Sequence, residues 1–286
     1  MNINCRGKLI DLKTPKVMGI VNITPDSFFS GSRHEADKEL VKTVAKMLAE
    51  GADIIDIGGY STRPGANSVS LAEELSRVIP AIERIVAHFP DVILSIDTFR
   101  SEVANQAVAA GAAIVNDVSA GLLDDKMLST VAGLRVPYIM MHMRGTPQTM
   151  MQLTGYDDLV SDILLYFSER IKAARSVGIS DIVVDPGFGF SKTTEQNFEL
   201  LGKMDLMQIA GQPIIVGLSR KSMVYKPLNL EADAALTGTT VVNTLALSKG
   251  ASILRVHDVK EAVQCVKLFL MSTGFTGGDR VHSSKS

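Results

Sequence analysis

The chain has 286 residues, of which 46% are hydrophobic, and a formal net charge of −2 from 29 Lys+Arg against 31 Asp+Glu. That length suits one large α/β barrel or two ordinary domains, with enough apolar material for a substantial core. The near-neutral charge argues against a nucleic-acid or membrane surface, and two cysteines without ligand spacing, Cys5 and Cys265, argue against a metal cluster or a disulfide framework.

The first sixteen residues, "MNINCRGKLIDLKTPK", lack the apolar core of a signal peptide, and no apolar run approaches spanning length. A soluble cytoplasmic protein is the expectation, with residues 1–16 as a hairpin cap on the domain that follows. Short β-branched runs then recur at "VMGIV" (17–21), "DIIDI" (53–57), "VILSI" (92–96), "AAIVN" (112–116), "PYIMM" (137–141), "DIVVD" (181–185), "PIIVG" (213–217) and "SILRV" (252–256). They do not alternate apolar with polar residues, which suits parallel strands covered on both faces.

Helical patterns lie between these runs. Leu40, Val41, Val44, Met47 and Leu48 share one face, as do Leu71, Leu75, Val78, Ile82, Ile85 and Phe89, and later Leu159, Ile163, Phe167, Ile171 and Ala174. Ser70-x-x-Glu73 reads as a capping box, and Pro80 is expected to kink its helix. Gly51, Gly111, Gly178 and Gly250 fall where a helix should stop before a strand, in the left-handed C′ position. Eight strands alternating with helices over 17–272 imply a single (β/α)8 TIM barrel of the α/β class. A doubly wound open sheet is the alternative, but it predicts a dinucleotide fingerprint that no early strand carries. Residues 273–286 are expected to be a disordered tail.

In a barrel of this kind chemistry gathers at the carboxyl ends of the strands. The first run ends in Asn22. The second carries Asp56 and leads into "GGYSTRPGA" (58–66), a glycine-rich loop with Arg63 but no P-loop lysine. The others end at Asp97, Asn116, "MHMRG" (141–145), Asp185, "LSRKS" (218–222), and Arg255 with His257. Each residue has a bland reading. Asn22, Asp97 and Asp185 could form turns or caps, Asn116 could satisfy loop backbone, Arg255 could make an ion pair inside the barrel, and His257 could be a satisfied loop histidine. Together they point to one polar mouth, because each unpaired buried polar group costs about 1–3 kcal/mol. Asp97, Asn116 and Asp185 form a donor–acceptor edge suited to an aminopyrimidine-like heterocycle. Arg63, Lys221, Arg255 and His257 suit an anionic arm.

The stretches "MGIVNITPDSF" (18–28), "GADIIDIGGYSTRPGA" (51–66), "SIDT" (95–98), "GAAIVNDVSAG" (111–121), "MHMRGTP" (141–147), "VDPGFGFSKT" (184–193), "GLSRKSM" (217–223) and "RVHDV" (255–259) resemble, in this order, the dihydropteroate synthase family of folate biosynthesis. The resemblance runs to about residue 270. It implies a transferase that joins 6-hydroxymethyl-7,8-dihydropterin diphosphate to p-aminobenzoate, releasing 7,8-dihydropteroate and pyrophosphate by a dissociative, Mg2+-assisted route. It implies that Asp97, Asn116, Asp185 and Lys221 hold the pterin, with Met141 as a wall of its site. Asn22 would help hold Mg2+, and Arg63, Arg255 and His257 would meet diphosphate oxygens. Thr62, Ser222 and Phe190 would form the p-aminobenzoate site. Lys221, Arg63 and Asp97 would carry the catalytic burden. Sulfonamides would compete at the Thr62/Ser222 side, and the enzyme would be a homodimer through its outer helices.

The first loop departs from the family pattern: "TPDSFFSGS" (24–32) has Ser30 where an aspartate is usual and Ser32 where a glycine is usual, so either loop closure is electrostatically weaker here or another acid such as Asp26 or Glu35 compensates. Two other readings remain at this point. A methyltetrahydrofolate:corrinoid methyltransferase on a pterin barrel would keep the ring readers but need no diphosphate set. A non-catalytic pterin-binding protein would bind without turnover.

Overall fold

In the computed structural model, residues 1–23, 33–60 and 69–274 are described. Among them, eight parallel strands close into a barrel: β3 (Lys16–Asn22), β4 (Ile54–Gly58), β5 (Leu94–Asp97), β6 (Ile114–Asp117), β7 (Tyr138–Met141), β8 (Ile182–Asp185), β9 (Ile214–Val216) and β10 (Ala251–Val256). Each strand pairs with the next in sequence, and β10 pairs with both β9 and β3 to close the ring. The open-sheet alternative is thereby excluded. The outer layer comprises α1 (Arg33–Ala49), α2 (Leu71–His88), α3 (Ser101–Ala110), α4 (Met127–Leu134), α5 (Leu159–Ser176), α6 (Thr194–Gly202), α7 (Ser222–Tyr225), α8 (Leu236–Ser248) and α9 (Val259–Ser272).

Local chemistry accounts for the helix limits. The Ser70 side chain accepts from the Glu73 N–H at 3.2 Å, while the Glu73 carboxylate turns outward to Arg77. The serine half of the expected box therefore starts α2, which continues through Pro80 to His88. A reciprocal box is made instead at α6, where Thr193 and Gln196 each cap the other's backbone N–H. The expected stops at Gly51, Gly111, Gly178 and Gly250 all have φ between +95° and +131°, which an L side chain rarely adopts.

An antiparallel hairpin lies under the barrel: β1 (Asn2–Cys5) pairs with β2 (Lys8–Asp11) through a turn with positive φ at Arg6 and Gly7. Its inward residues Ile3, Cys5 and Ile10 pack on a floor of Met18, Ile54, Ile114, Ile139, Val183, Ile215 and Ile253. Three polar ties fix its placement: the Asn4 N–H donates to Asp181 at 2.8 Å, Arg6 to the Val108 carbonyl at 3.1 Å and Lys8 to the Asp91 carbonyl at 3.0 Å. A second, larger apolar shell separates strands from helices.

The floor positions the site. Side chains on one face of a strand recur every second residue. Two residues beyond Ile54, Ile114, Ile139, Val183 and Ile253, the same inward face presents Asp56, Asn116, Met141, Asp185 and Arg255. An apolar plug below and a polar layer above follow from one two-residue step repeated around the barrel.

Candidate active site

Strand register brings the polar ends into one belt. Asn22 is aligned with Gly58, Gly58 with Asp97, and Asp97 with Asn116; on the other side of the barrel Met141 is aligned with Asp185. Gly58 contributes no side chain between Asn22 and Asp97, so those two groups face a common space. A Cβ added there would lie 3.6 Å from both the Asn22 Oδ1 and the Asp97 Cβ.

Arg255 organises the centre of this belt. Its Nε donates to Asp56 and its Nη2 to Asp97, both at 2.6 Å, while the Asn116 amide donates to the same Asp56 oxygen at 3.0 Å. Asp56 is fully buried, and its second oxygen, Oδ1, has no hydrogen-bond partner. Burial pushes the Asp97 carboxyl up to about 7, against the pull of Arg255 and with a further push from Asp56. Burial alone would lower the Arg255 pKa, but Asp56 and Asp97 outweigh it and hold the guanidinium protonated. The fork expected to meet diphosphate oxygens is thus committed on two sides to carboxylates, which is the ion-pair reading that the sequence left open.

Asp185, Lys221 and Phe190 form the second half. Asp185 accepts the Gly187 N–H at 2.8 Å, and burial raises its pKa while Lys221 opposes the rise. The Lys221 ammonium donates to the Phe188 carbonyl and lies 4.7 Å from the centre of the Phe190 ring. Burial lowers it to about 8, with Asp185 acting in the opposite sense. Met141 packs with Val118, Met143 and Met150, and Phe190 rests on the same apolar patch, so the wall and the ring are continuous.

The remaining expected residues lie further out. Ser222 is exposed at the first turn of α7. His257 is half-buried, with its Nδ1 3.1 Å from the Ser219 hydroxyl, which also accepts the His257 N–H. Arg220 is turned away, its guanidinium held by both oxygens of Asp258. Thr62 and Arg63, and the departures at Ser30 and Ser32 with Asp26, lie outside the described residues. Sequence reasoning missed the part played by Asp56, Ser219 and Lys192 in this neighbourhood. Asp56 was visible as an acid inside an apolar run, and that was its only signal.

The family model described as "Pterin binding enzyme" matches residues 18–257. The dihydropteroate synthase of Escherichia coli is 41% identical over 270 residues, covering 94% of this chain and 95% of that protein. A crystal structure of the Yersinia pestis dihydropteroate synthase with a sulfonamide drug complex superposes with a TM-score of 0.89 at 39% identity, covering 96% of this chain and 99% of the other. The Xanthomonas albilineans dihydropteroate synthase with 4-aminobenzoic acid gives a TM-score of 0.88 at 42% identity, covering 95% and 98%. The same organism's protein in complex with 7,8-dihydropteroate gives 0.86 at 39%, covering 96% and 99%.

Removing the shared cation should expose the cost of this belt. Arg255→Met leaves Asp56 and Asp97 buried without their partner, a loss of about 3–5 kcal/mol in urea unfolding at neutral pH. A carboxyl raised in the folded state contributes stability that is full below its unfolded pKa and gone once pH passes its folded pKa, about 7 for Asp97. Removing the guanidinium lifts that folded pKa further, so the variant goes on losing stability where the wild type has stopped, and the deficit should grow as pH rises above about 7; a loss that does not vary with pH would contradict the pairing.

Proposed function

Since the chain belongs to the pterin-binding enzymes, and within them to the dihydropteroate synthases, we propose that it joins 6-hydroxymethyl-7,8-dihydropterin diphosphate to p-aminobenzoate. The observation that carries this reading is the belt above the barrel floor: Asp97, Asn116 and Asp185 with an unsatisfied Asp56 oxygen, next to Lys221 and the Phe190 ring. Ring N–H and amino groups would donate to the carboxylates, and Lys221 would donate to ring acceptors. The edge reader is held in shape by Arg255, whose Nη1 edge is the part left for substrate.

In this mechanism the bond between the pterin methylene carbon and the diphosphate oxygen breaks, and pyrophosphate takes the electron pair. The methylene cation is delocalised into the ring, where Asp97 and Asp185 favour positive charge. The amine of p-aminobenzoate, neutral near pH 7, forms the new C–N bond and gives its proton to solvent or pyrophosphate. It needs no strong base, so Asp97 acts as an electrostatic and orienting group. Phe190 and Ser222, with Thr62 from the second loop, would receive p-aminobenzoate. Arg63 and His257 would meet the diphosphate.

Asn22 offers one neutral amide oxygen at the mouth beside Asp97, and among the described residues no three His, Cys, Asp or Glu could enclose a metal. That donor set fits a Mg2+ that arrives on the diphosphate and keeps most of its coordination on phosphate and water. When bound, the ion would neutralise charge on the departing pyrophosphate.

Two copies of the chain would pair through α8 and α9. These helices pack on one another and still leave Val241, Leu245, Leu268 and Met271 exposed, large apolar side chains that an interface would cover. No described helix is long and apolar enough to cross a membrane, and the expected setting is the cytoplasm.

The deciding assay incubates the purified chain with both substrates and Mg2+. Dihydropteroate and pyrophosphate should form in equal amounts, require the metal, and fall when a sulfonamide competes with p-aminobenzoate. Binding of the pterin diphosphate without turnover would refute the assignment. The pH dependence of kcat/KM supplies a second check. Asp97 must be ionised to accept, so activity is lost as pH falls through about 7; Lys221 must be protonated to donate, so activity is lost as pH rises through about 8. Lys221→Arg should move the alkaline limb upward, and an unmoved limb would remove Lys221 from the profile. Light scattering should give the mass of a dimer, which Leu245→Glu with Leu268→Glu should reduce to that of one chain. A single-chain mass for the unmodified protein would exclude the pairing.

A further inference from the structure

The loop that follows β8 is held from inside by a second lysine that the proposed chemistry does not use. Lys192 is 2% exposed, yet its ammonium group has three partners: the Gly187 carbonyl at 3.0 Å, the Phe190 carbonyl at 3.1 Å and the His142 Nδ1 at 3.0 Å. Three donors meet three acceptors, so the group is fully satisfied although it is cut off from water. The Phe188 carbonyl, which lies between those two carbonyls in the chain, accepts instead from Lys221. One short loop is thus gripped between two ammonium groups, Lys192 behind it and Lys221 on the side of the proposed substrate.

The backbone leaves little alternative. Gly187 has a φ of +73°, and a Cβ there would fall 2.0 Å from the His142 carbonyl oxygen. The His142 N–H is in turn bonded to the Asp185 carbonyl at 2.9 Å. From outside, Asn197 of α6 accepts the Gly189 N–H at 2.7 Å and donates to the Thr193 carbonyl at 2.6 Å. A methionine would fill the space of Lys192 without burying a charge. The lysine's contribution is therefore the fixing of two carbonyls and one imidazole rather than volume.

We propose that Lys192 is a positioning residue. By drawing the Gly187 and Phe190 carbonyls toward His142, it sets the Phe188 carbonyl and the Phe190 ring that together seat Lys221. The proposal rests on the reading of Lys221 and Phe190 as substrate-facing groups. The charges bear on the pair from several elements: Asp185, Asp97 and Arg255 face Lys221, while Asp185, His142, Arg144 and Lys221 face Lys192. Burial lowers Lys192 to about 7 and, with Lys192 and Arg144 nearby, keeps His142 well below the usual histidine range. The His142 contact survives either protonation state of the lysine. An ammonium donates to Nδ1, and a neutral amine accepts from it.

Lys192→Met and Asn197→Ala, made in the full chain, test this, with Lys221→Met and Phe190→Ala as reference variants. Asn197→Ala loosens the same loop without changing any charge, so it separates loop position from the loss of a nearby cation. Both loop variants should lower kcat on the order of a hundredfold and raise KM for p-aminobenzoate on the order of tenfold, as a displacement of about 1 Å can. Their alkaline limb of kcat/KM should move up by about one pH unit, because a released Lys221 regains solvent. If circular dichroism shows that Lys192→Met does not fold, Asn197→Ala decides alone. Wild-type kcat, KM and alkaline limb in the folded variants, with both reference variants impaired, would overturn the positioning role while leaving the site intact. If Lys221→Met and Phe190→Ala are themselves as active as the wild type, the site reading fails and the positioning role falls with it.

Discussion

Two carboxylates, Asp56 and Asp97, sit side by side within the barrel, and both are tolerated because one guanidinium spans them at 2.6 Å. Everything else in the belt depends on this bridge. It keeps Asp97 within reach of ionisation near neutral pH despite burial, and it shares one Asp56 oxygen with the Asn116 amide. Arginine is needed here because its planar fork meets two acceptors at once, which a point charge on a flexible stem does less well. The bridge is costly if half of it is removed and only modestly stabilising when whole. That balance is typical of a site maintained for what it binds.

The barrel was legible in the sequence because its signals are local. β-Branched runs without alternation identify strands covered on both faces, and glycines just before strands mark the helix stops. All eight expected runs overlap the observed strands, with limits that differ by at most two residues; "VILSI" begins two residues before β5, and "PIIVG" brackets the three residues of β9. The belt was legible as a list of residues, since polar strand ends need only position in the chain.

Pairing within the belt was not legible. Arg255 lies 199 residues from Asp56 and 158 from Asp97 in sequence, and only closure of β10 on β3 brings them together. A residue-by-residue reading assigned Arg255 to the anion because cations and anions match by type. It also left an ion pair inside the barrel open, but could not say which two acids would make it. The same limit concealed Lys192, whose partners are His142, the residue after β7, and backbone carbonyls that carry no sequence signature.

The second loop shows where the described framework ends and what it fixes beforehand. Gly59, just before residues 61–68, has its carbonyl held by Arg77 at 2.8 Å, and Val69, just after them, has its carbonyl held by Arg100 at 2.7 Å. Arg100 is in turn paired with the fully buried Glu74 at 2.6 Å, and Thr98 donates to the other oxygen of Glu74 at 2.7 Å. Thr98 directly follows Asp97 in the chain. The acid that reads the proposed substrate and the Val69 stem of the loop bearing Thr62 and Arg63 are therefore referenced to one buried network, while the Gly59 stem is tied through Arg77 to Glu73 on the same helix. A change in Glu74 would move both that acid and the Val69 stem.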